Sequence, residues 1–191
     1  MKNYFDKTLF LVCGLSGSGK STFIKELRKD YNDMFKFIGT YSTREIRDYE
    51  NNNSIDTILL SNCEFEKRKC DYIGKKADRY SGIRKNDIFA YFSNSNNVFL
   101  IANINWIETI KNDFYNIANV KTILIASHAS ECIKRISYLK HSIEQFKYRI
   151  TDIDNNKYSS FNFDYFLHNN GDIIVFKKSI NTFANLIFNK K

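Results

Sequence analysis

The stretch Thr8 to Thr22, TLFLVCGLSGSGKST, decides the architecture. Thr8 to Cys13 is an unbroken apolar run, the pattern of a strand buried on both faces of a parallel sheet. Gly14 to Ser21 then matches G-x-x-x-x-G-K-[S/T] at every position. Beyond it, Phe23, Ile24 and Leu27 recur at helical spacing. Strand, glycine loop and helix therefore follow in the order that a nucleoside-triphosphate cradle requires. Glycines allow a tight loop whose backbone N–H groups point at one anion. The helix behind it presents its positive end to the same charge. The expected triphosphate-binding residues are Gly14, Ser16, Gly17, Ser18, Gly19, Lys20, Ser21 and Thr22. Lys20 reaches the β- and γ-phosphates, and the Ser21 hydroxyl is a magnesium ligand.

Further along, apolar runs at Phe35–Tyr41, Thr57–Leu60, Asn97–Asn103, Val120–Ala126 and Tyr165–Leu167 read as strands. Asp71–Ile83 reads as irregular strand with a turn. Helices are expected over Asn62–Lys69 with a cap at Ser61 or Asn62, from Trp106, from Glu131, over Phe146–Ile153 and over Ser179–Phe188. Strands alternating with helices predict an α/β fold, a parallel sheet covered on both faces.

At 191 residues the chain suits one α/β domain. A domain of this size buries roughly 70% of its unfolded surface and needs no disulfide or metal staple. Cys13, Cys63, Cys70 and Cys132 match neither a zinc-site nor a CxxC redox spacing, so reduced thiols are expected. No apolar run is long enough to span a membrane. Met1 to Lys7 is polar, and the apolar run after it leads straight into the glycine loop, so it reads as a strand rather than a leader peptide. A cytoplasmic protein is expected. The net charge is +8, but its cations are dispersed apart from Lys67-Arg68-Lys69 and Lys75-Lys76. Small phosphorylated ligands are the expected partners, rather than nucleic acid.

Thr40 to Arg47, TYSTREIR, places Arg44 and Arg47 beside hydroxyl groups about 25 residues after the cradle. Arginine holds phosphate in a fork, so this segment suggests a second phosphate site, for an acceptor.

At this point the chain resembles the guanylate kinase family. The resemblance rests on the loop Gly14–Thr22, on Thr40–Arg47 with Glu50 behind it, and on Asp56–Phe65. It continues through Asp71, Tyr80-Ser81-Gly82 and Phe163–Asn170, in order along nearly the whole chain. It implies a P-loop NTPase-type parallel sheet flanked by helices, with an acceptor-binding region at about 39–96 and a lid at about 136–145. The core would be about 1–38, 97–134 and 146–191 of a single kinase domain, acting as monomer or homodimer. It further implies ATP-dependent, magnesium-dependent phosphorylation of a nucleoside monophosphate, GMP or dGMP foremost. Thr40, Arg44, Arg47 and Tyr80 would hold the acceptor phosphate, and Asp71 would take the N1 and N2 donors of guanine. Ser81 and Asn103 would belong to the same acceptor site. Arg135 and Arg149 would contact ATP and the transferred group, and Asn169 would lie by adenine. Lys20, Arg44, Arg135 and Arg149 would then supply the cations of a loose transition state, while lid closure excludes water.

Several positions depart from the family pattern. Ile46 stands for a proline and Thr57 for a tyrosine. The Y-G-[S/T] turn is reordered to Tyr80-Ser81-Gly82, a strand-end aspartate is Asn103, and Ser137–Ser142 replaces the lid's R-G-T-E core. Two alternatives stay open. One is a kinase of the same fold acting on ribose 1,5-bisphosphate, which Asn103 and Asn169-Asn170 also resemble. The other is a non-catalytic binding module, although such modules typically lose the cradle that is intact here.

Overall fold

A computed structural model describes residues 6–46, 56–76, 78–139, 142–151, 153 and 158–188. The described residues form two compact units. One takes them from Met1–Leu11, Phe35–Ile46 and Glu50–Lys121, the other from Val12–Met34 and Thr122–Lys191. Strands β1 (Thr8–Cys13) and β8 (Asn119–Ala126) are shared between the two.

The first unit contains β2 (Lys36–Ile38), β3 (Thr40–Ser42), β4 (Thr57–Leu59), β5 (Tyr72–Lys76), β6 (Arg79–Ile83) and β7 (Asn97–Ile101). Its helices are α2 (Asn62–Arg68), α3 (Lys85–Phe92) and α4 (Ile107–Phe114), with a 3-10 turn at Ile104–Trp106. The second unit contains α1 (Lys20–Tyr31), α5 (Ala129–Ser137), α6 (Ile143–Ile150), β9 (Tyr165–His168) and α7 (Ile173–Phe188). The strand order of the larger sheet is β2-β7-β1-β8-β9. The β2–β7 and β8–β9 pairs are parallel, with Phe37 opposite Phe99 and Ile125 opposite Leu167. This is the mixed α/β, helix-flanked parallel sheet that the apolar runs predict. A smaller sheet has the order β4-β3-β6-β5, with β6 antiparallel to both of its neighbours.

Aromatic packing builds each core. In the first unit the Phe10 and Phe99 rings stack at 4.5 Å, and Phe35 meets Phe99 edge-on at 5.0 Å. In the second, α1 and α7 pack through Phe23–Phe183 and Tyr31–Phe188. Phe23 and Phe99 are fully buried. Each such ring contributes roughly 2–3 kcal/mol by its transfer from water.

The structure corrects several boundaries. The run Phe35–Tyr41 is two strands, β2 and β3, which join different sheets on either side of Gly39. Asp71–Ile83 is a regular antiparallel pair, with Lys75 opposite Tyr80 and Gly74 opposite Ser81. The helix expected over Phe146–Ile153 is α6, starting at Ile143 under its own cap, where Ser142 Oγ accepts from Gln145 N at 3.2 Å. Helix α7 begins six residues before Ser179. Its opening residues Ile173, Ile174 and Val175 are exposed, so the core-facing periodicity starts only at Phe176 and hides the first turn. Helix α3 escapes a reading by pattern, because it buries only Ile88 and Phe92.

Ser61 caps α2 with a capping box, its Oγ accepting from Glu64 N while Glu64 Oε2 accepts from Ser61 N at 2.8 Å. All four cysteines are free thiols. Among the described residues, no helix is long and apolar enough to cross a membrane.

Candidate active site

The phosphate loop lies wholly in the second unit, between the end of β1 and α1. Gly17 has φ +80° and Gly19 φ +107°, both in the region that side chains avoid. A Cβ on Gly17 would stand 2.8 Å from the Cys132 carbonyl, and one on Gly19 2.5 Å from Asn169 Nδ2. Only glycine fits either position. Helix α1 carries no acidic residue in its first turn and no side-chain cap, which leaves its opening N–H groups for an anion. Lys20 Nζ lies back across the loop, donating to the Gly14 and Leu15 carbonyls at 2.8 Å each.

Three distant side chains converge on this loop. Arg149 of α6 donates from Nε to Ser16 Oγ at 3.0 Å, from a nearly buried position. Asn169 donates from Nδ2 to the Ser18 carbonyl at 2.7 Å. Arg135 of α5 donates from Nη2 to the Asn169 carbonyl at 2.7 Å, and from Nη1 to Ser127 Oγ at 3.1 Å and Gly17 O at 3.5 Å. Below them Cys132 turns its carbonyl onto Gly17, and its thiol is buried. Burial pushes its pKa up, against the opposing pull of Ser127, Arg135 and Lys20. Ser18 Oγ is buried and finds no hydrogen-bond partner among the described residues.

The described residues expected at the acceptor, Thr40, Arg44, Asp71, Tyr80, Ser81 and Asn103, lie in the first unit. Thr40 donates twice to the Asp56 carbonyl, from N at 3.1 Å and from Oγ1 at 3.3 Å. Tyr80 N donates to Thr43 Oγ1 at 2.8 Å, and Thr43 N returns a bond to Tyr80 O at 3.0 Å. This exchange sets Arg44, one residue on, beside the start of β6. Arg44 Nη1 donates to the Glu45 carbonyl at 2.9 Å. The Tyr80 ring stacks on Phe65 at 5.7 Å, and Lys75 Nζ stands 5.3 Å from its centroid.

Side chains alternate along a strand, so Tyr80 and Ser81 leave β6 on opposite faces. Tyr80 shares its face with Lys75 and Gly82, whereas Ser81 shares its own with Gly74 and Ser42. Asn103 Nδ2 and Ser81 Oγ both close on Gly74, at 2.9 and 3.1 Å from where its Cβ would be. Gly82 has no room for a hydroxyl, because the Cys70 Cβ and Sγ stand 2.9 and 3.0 Å from its Cβ position. Asp71 Oδ2 accepts the Lys85 backbone N–H at 2.7 Å, and its other oxygen makes no hydrogen bond among the described residues.

Residues 6–188 match the family model for guanylate kinase. The chain belongs to the guanylate kinase family. No curated protein matches it in sequence. A crystal structure of guanylate kinase from Anaplasma phagocytophilum superposes with a TM-score of 0.60 at 12% identity, covering 95% of this chain and 84% of that one. At that identity the likeness shows the fold alone.

The residues that the resemblance to guanylate kinases places at the triphosphate all lie in the second unit. Lys20, Arg135, Arg149 and Asn169 all meet the loop. Asn169, however, is buried and committed to Ser18 rather than turned outward. Of the residues expected at an acceptor, Thr40, Arg44 and Tyr80 gather around β3 and β6, while Ser81 and Asn103 gather on the other face at Gly74. Arg47 and Glu50 lie outside the described residues. Ser127, Lys75 and Cys70 were not singled out from sequence. Ser127 follows the C-terminal end of a parallel strand, where ligands bind in α/β sheets, and that position was the available signal. Among the described residues, no three His, Cys, Asp or Glu side chains converge to hold a metal. Magnesium fits such a site, because it takes oxygen ligands and keeps several waters. Ser21 Oγ, triphosphate oxygens and water would hold it.

Proposed function

We propose that this chain transfers the γ-phosphoryl group of ATP to GMP or dGMP, forming ADP and the nucleoside diphosphate. An oxygen of the acceptor phosphate attacks the γ-phosphorus as its bond to the β–γ bridging oxygen breaks, and ADP leaves with that oxygen. The observation that carries this reading is the intact phosphate loop with Arg135 and Arg149 drawn onto it, in a member of the guanylate kinase family. Lys20 leaves the Gly14 and Leu15 carbonyls for the β- and γ-phosphate oxygens, and Ser21 would help hold a magnesium ion, which would supply charge to offset that of the triphosphate. Arg149 is one bond from the loop rim and supplies positive charge as the phosphoryl group moves. Thr40, Arg44, Arg47 and Tyr80 hold the acceptor phosphate. The unengaged oxygen of Asp71 supports recognition of a base donor, while its other oxygen caps α3.

The test is coupled ADP release with ATP and magnesium against GMP, dGMP, AMP, UMP, CMP and ribose 1,5-bisphosphate, with Lys20→Ala as control. Turnover on GMP or dGMP alone supports the proposal. Turnover on ribose 1,5-bisphosphate alone replaces the acceptor. Binding of ATP without turnover on any acceptor leaves a nucleotide-binding module instead of a kinase.

A further inference from the structure

We propose that Ser127 is a positioning residue for the phosphate loop. It holds the Arg135 guanidinium and the Asn169 main chain where they orient the backbone of Gly17 and Ser18. The inference rests on the loop binding a nucleoside triphosphate, not on the identity of the acceptor.

The hydroxyl of Ser127 is used in both directions. It donates its single proton to the Asn169 carbonyl at 2.7 Å and accepts from Arg135 Nη1 at 3.1 Å. Arg135 Nη2 donates to the same Asn169 carbonyl at 2.7 Å, closing a triangle of three residues. Two arms run from this triangle to the loop. Asn169 Nδ2 holds the Ser18 carbonyl at 2.7 Å, and Arg135 Nη1 reaches the Gly17 carbonyl at 3.5 Å.

The consequence follows from the planar trans peptide. The C=O and N–H of one peptide group point in opposite directions. Fixing the Ser18 carbonyl on Asn169 therefore turns the Gly19 N–H the other way, toward the anion that the loop encloses. Gly19 has no room to adjust, since a Cβ there would already overlap Asn169 Nδ2. Glu131 Oε2 is the competing partner for Arg135, 3.9 Å from Nη2 on the same helix. Without the Ser127 hydroxyl, Nη1 keeps only the long Gly17 contact, and the guanidinium is held through Nη2 alone, on Asn169, with Glu131 competing for that same nitrogen. Ser127 thus acts through both Arg135 and Asn169.

The experiment is equilibrium binding of a fluorescent N-methylanthraniloyl ATP to wild type, Ser127→Ala, Ser127→Thr, Arg135→Ala and the Ser127→Ala/Arg135→Ala pair, with thermal melting of each. A hydrogen bond to a charged group is large enough that Ser127→Ala is expected to weaken binding about tenfold. Ser127→Thr, which keeps the hydroxyl, is expected to stay within about twofold of wild type. The double variant is expected to lose clearly less than the sum of the two single losses, because both changes act on one hydrogen-bonded triangle. Melting is expected to fall by only a few degrees in Ser127→Ala, with two part-buried hydrogen bonds gone, so binding is compared well below the transition of every variant, and non-additivity in the double variant separates positioning from a purely structural role. Wild-type affinity in Ser127→Ala, or losses that add in the double variant, overturns the inference. Failure of wild type to bind the analogue overturns it together with the kinase reading. Binding without turnover on any acceptor removes the kinase reading alone and leaves this inference standing on the variants.

Discussion

Asp71 Oδ2 accepts the backbone N–H of Lys85 at 2.7 Å, so a residue fourteen positions away caps helix α3 from outside its own sequence. The carboxylate that the family resemblance assigns to the base is thus also a structural group. Removing it does two things at once, and the two are separable. Asp71→Ala is expected to lose about 1 kcal/mol of stability with the cap, a fall of roughly 2–4 °C in melting temperature. Asp71→Asn keeps an oxygen for Lys85 and is expected to melt near wild type. Both should raise KM for GMP. If Asp71→Asn leaves GMP turnover untouched, Asp71 is a cap and not a base reader.

Lys20 spans the loop by two carbonyl bonds and is placed to exchange them for phosphate oxygens. Lys20→Ala is expected to lower kcat by roughly 10³-fold, the scale of one preorganised electrostatic group. Stopped-time ADP production at saturating ATP checks this. A loss confined to KM for ATP would show that Lys20 binds the ground state and does not act on the transition state.

Gly19 offers a test of the loop that needs no chemistry. Gly19→Ala sets a Cβ 2.5 Å from Asn169 Nδ2 at φ +107°. It is expected to abolish detectable ATP binding in calorimetry while the rest of the core still melts cooperatively. Ordinary ATP affinity in this variant would mean that the loop departs from the geometry described.

Lys69 ends α2 with φ 49°, the one non-glycine residue with positive φ among the described residues. The left-handed conformation costs a residue with a Cβ about 1–2 kcal/mol, partly offset in glycine by its freer unfolded chain. Lys69→Gly is therefore expected to stabilise the protein by about 0.5–1 kcal/mol, and Lys69→Ala is not. Thermal melts of the two variants, compared directly, decide it.

Tyr72 donates to Asp113 Oδ2 at 2.7 Å, and Lys85 Nζ stands 3.3 Å from Oδ1. The Tyr72 hydroxyl, first, and then Lys85 hold the Asp113 carboxyl below its ordinary value of 3.8, against some desolvation. A group whose folded pKa is depressed contributes stability above its unfolded pKa and loses it as pH falls through the folded value. Tyr72→Phe is accordingly expected to be less stable than wild type at pH 7, with the gap closing below about pH 4. A gap that widens in acid would assign the pair the wrong sign.

The glycine-loop motif was legible because it is local. Eight consecutive residues, Gly14 to Ser21, carry the turn freedom, the cation and the hydroxyl, and the apolar run before them can only be a buried strand. Apolar runs likewise marked β7, β8 and β9, and helical spacing marked α1, whose Phe23, Ile24 and Leu27 are fully buried. Such patterns failed for α3, which buries two residues and takes its cap from Asp71, and for the first turn of α7, whose apolar residues face water.

The sequence by itself determined the α/β order, the phosphate loop and the family, because each is written in neighbouring residues or in their order. Only the tertiary structure decided how Arg149 meets Ser16, 133 residues away, and how Ser127, Arg135 and Asn169 close on Gly17 and Ser18. It alone set Tyr80 opposite Lys75 and Ser81 opposite Gly74, through the register of β6 on β5. The physical reason is range. A backbone preference or an apolar stripe acts within a few residues, whereas a hydrogen bond between distant side chains exists only where the packed core has already brought their elements together.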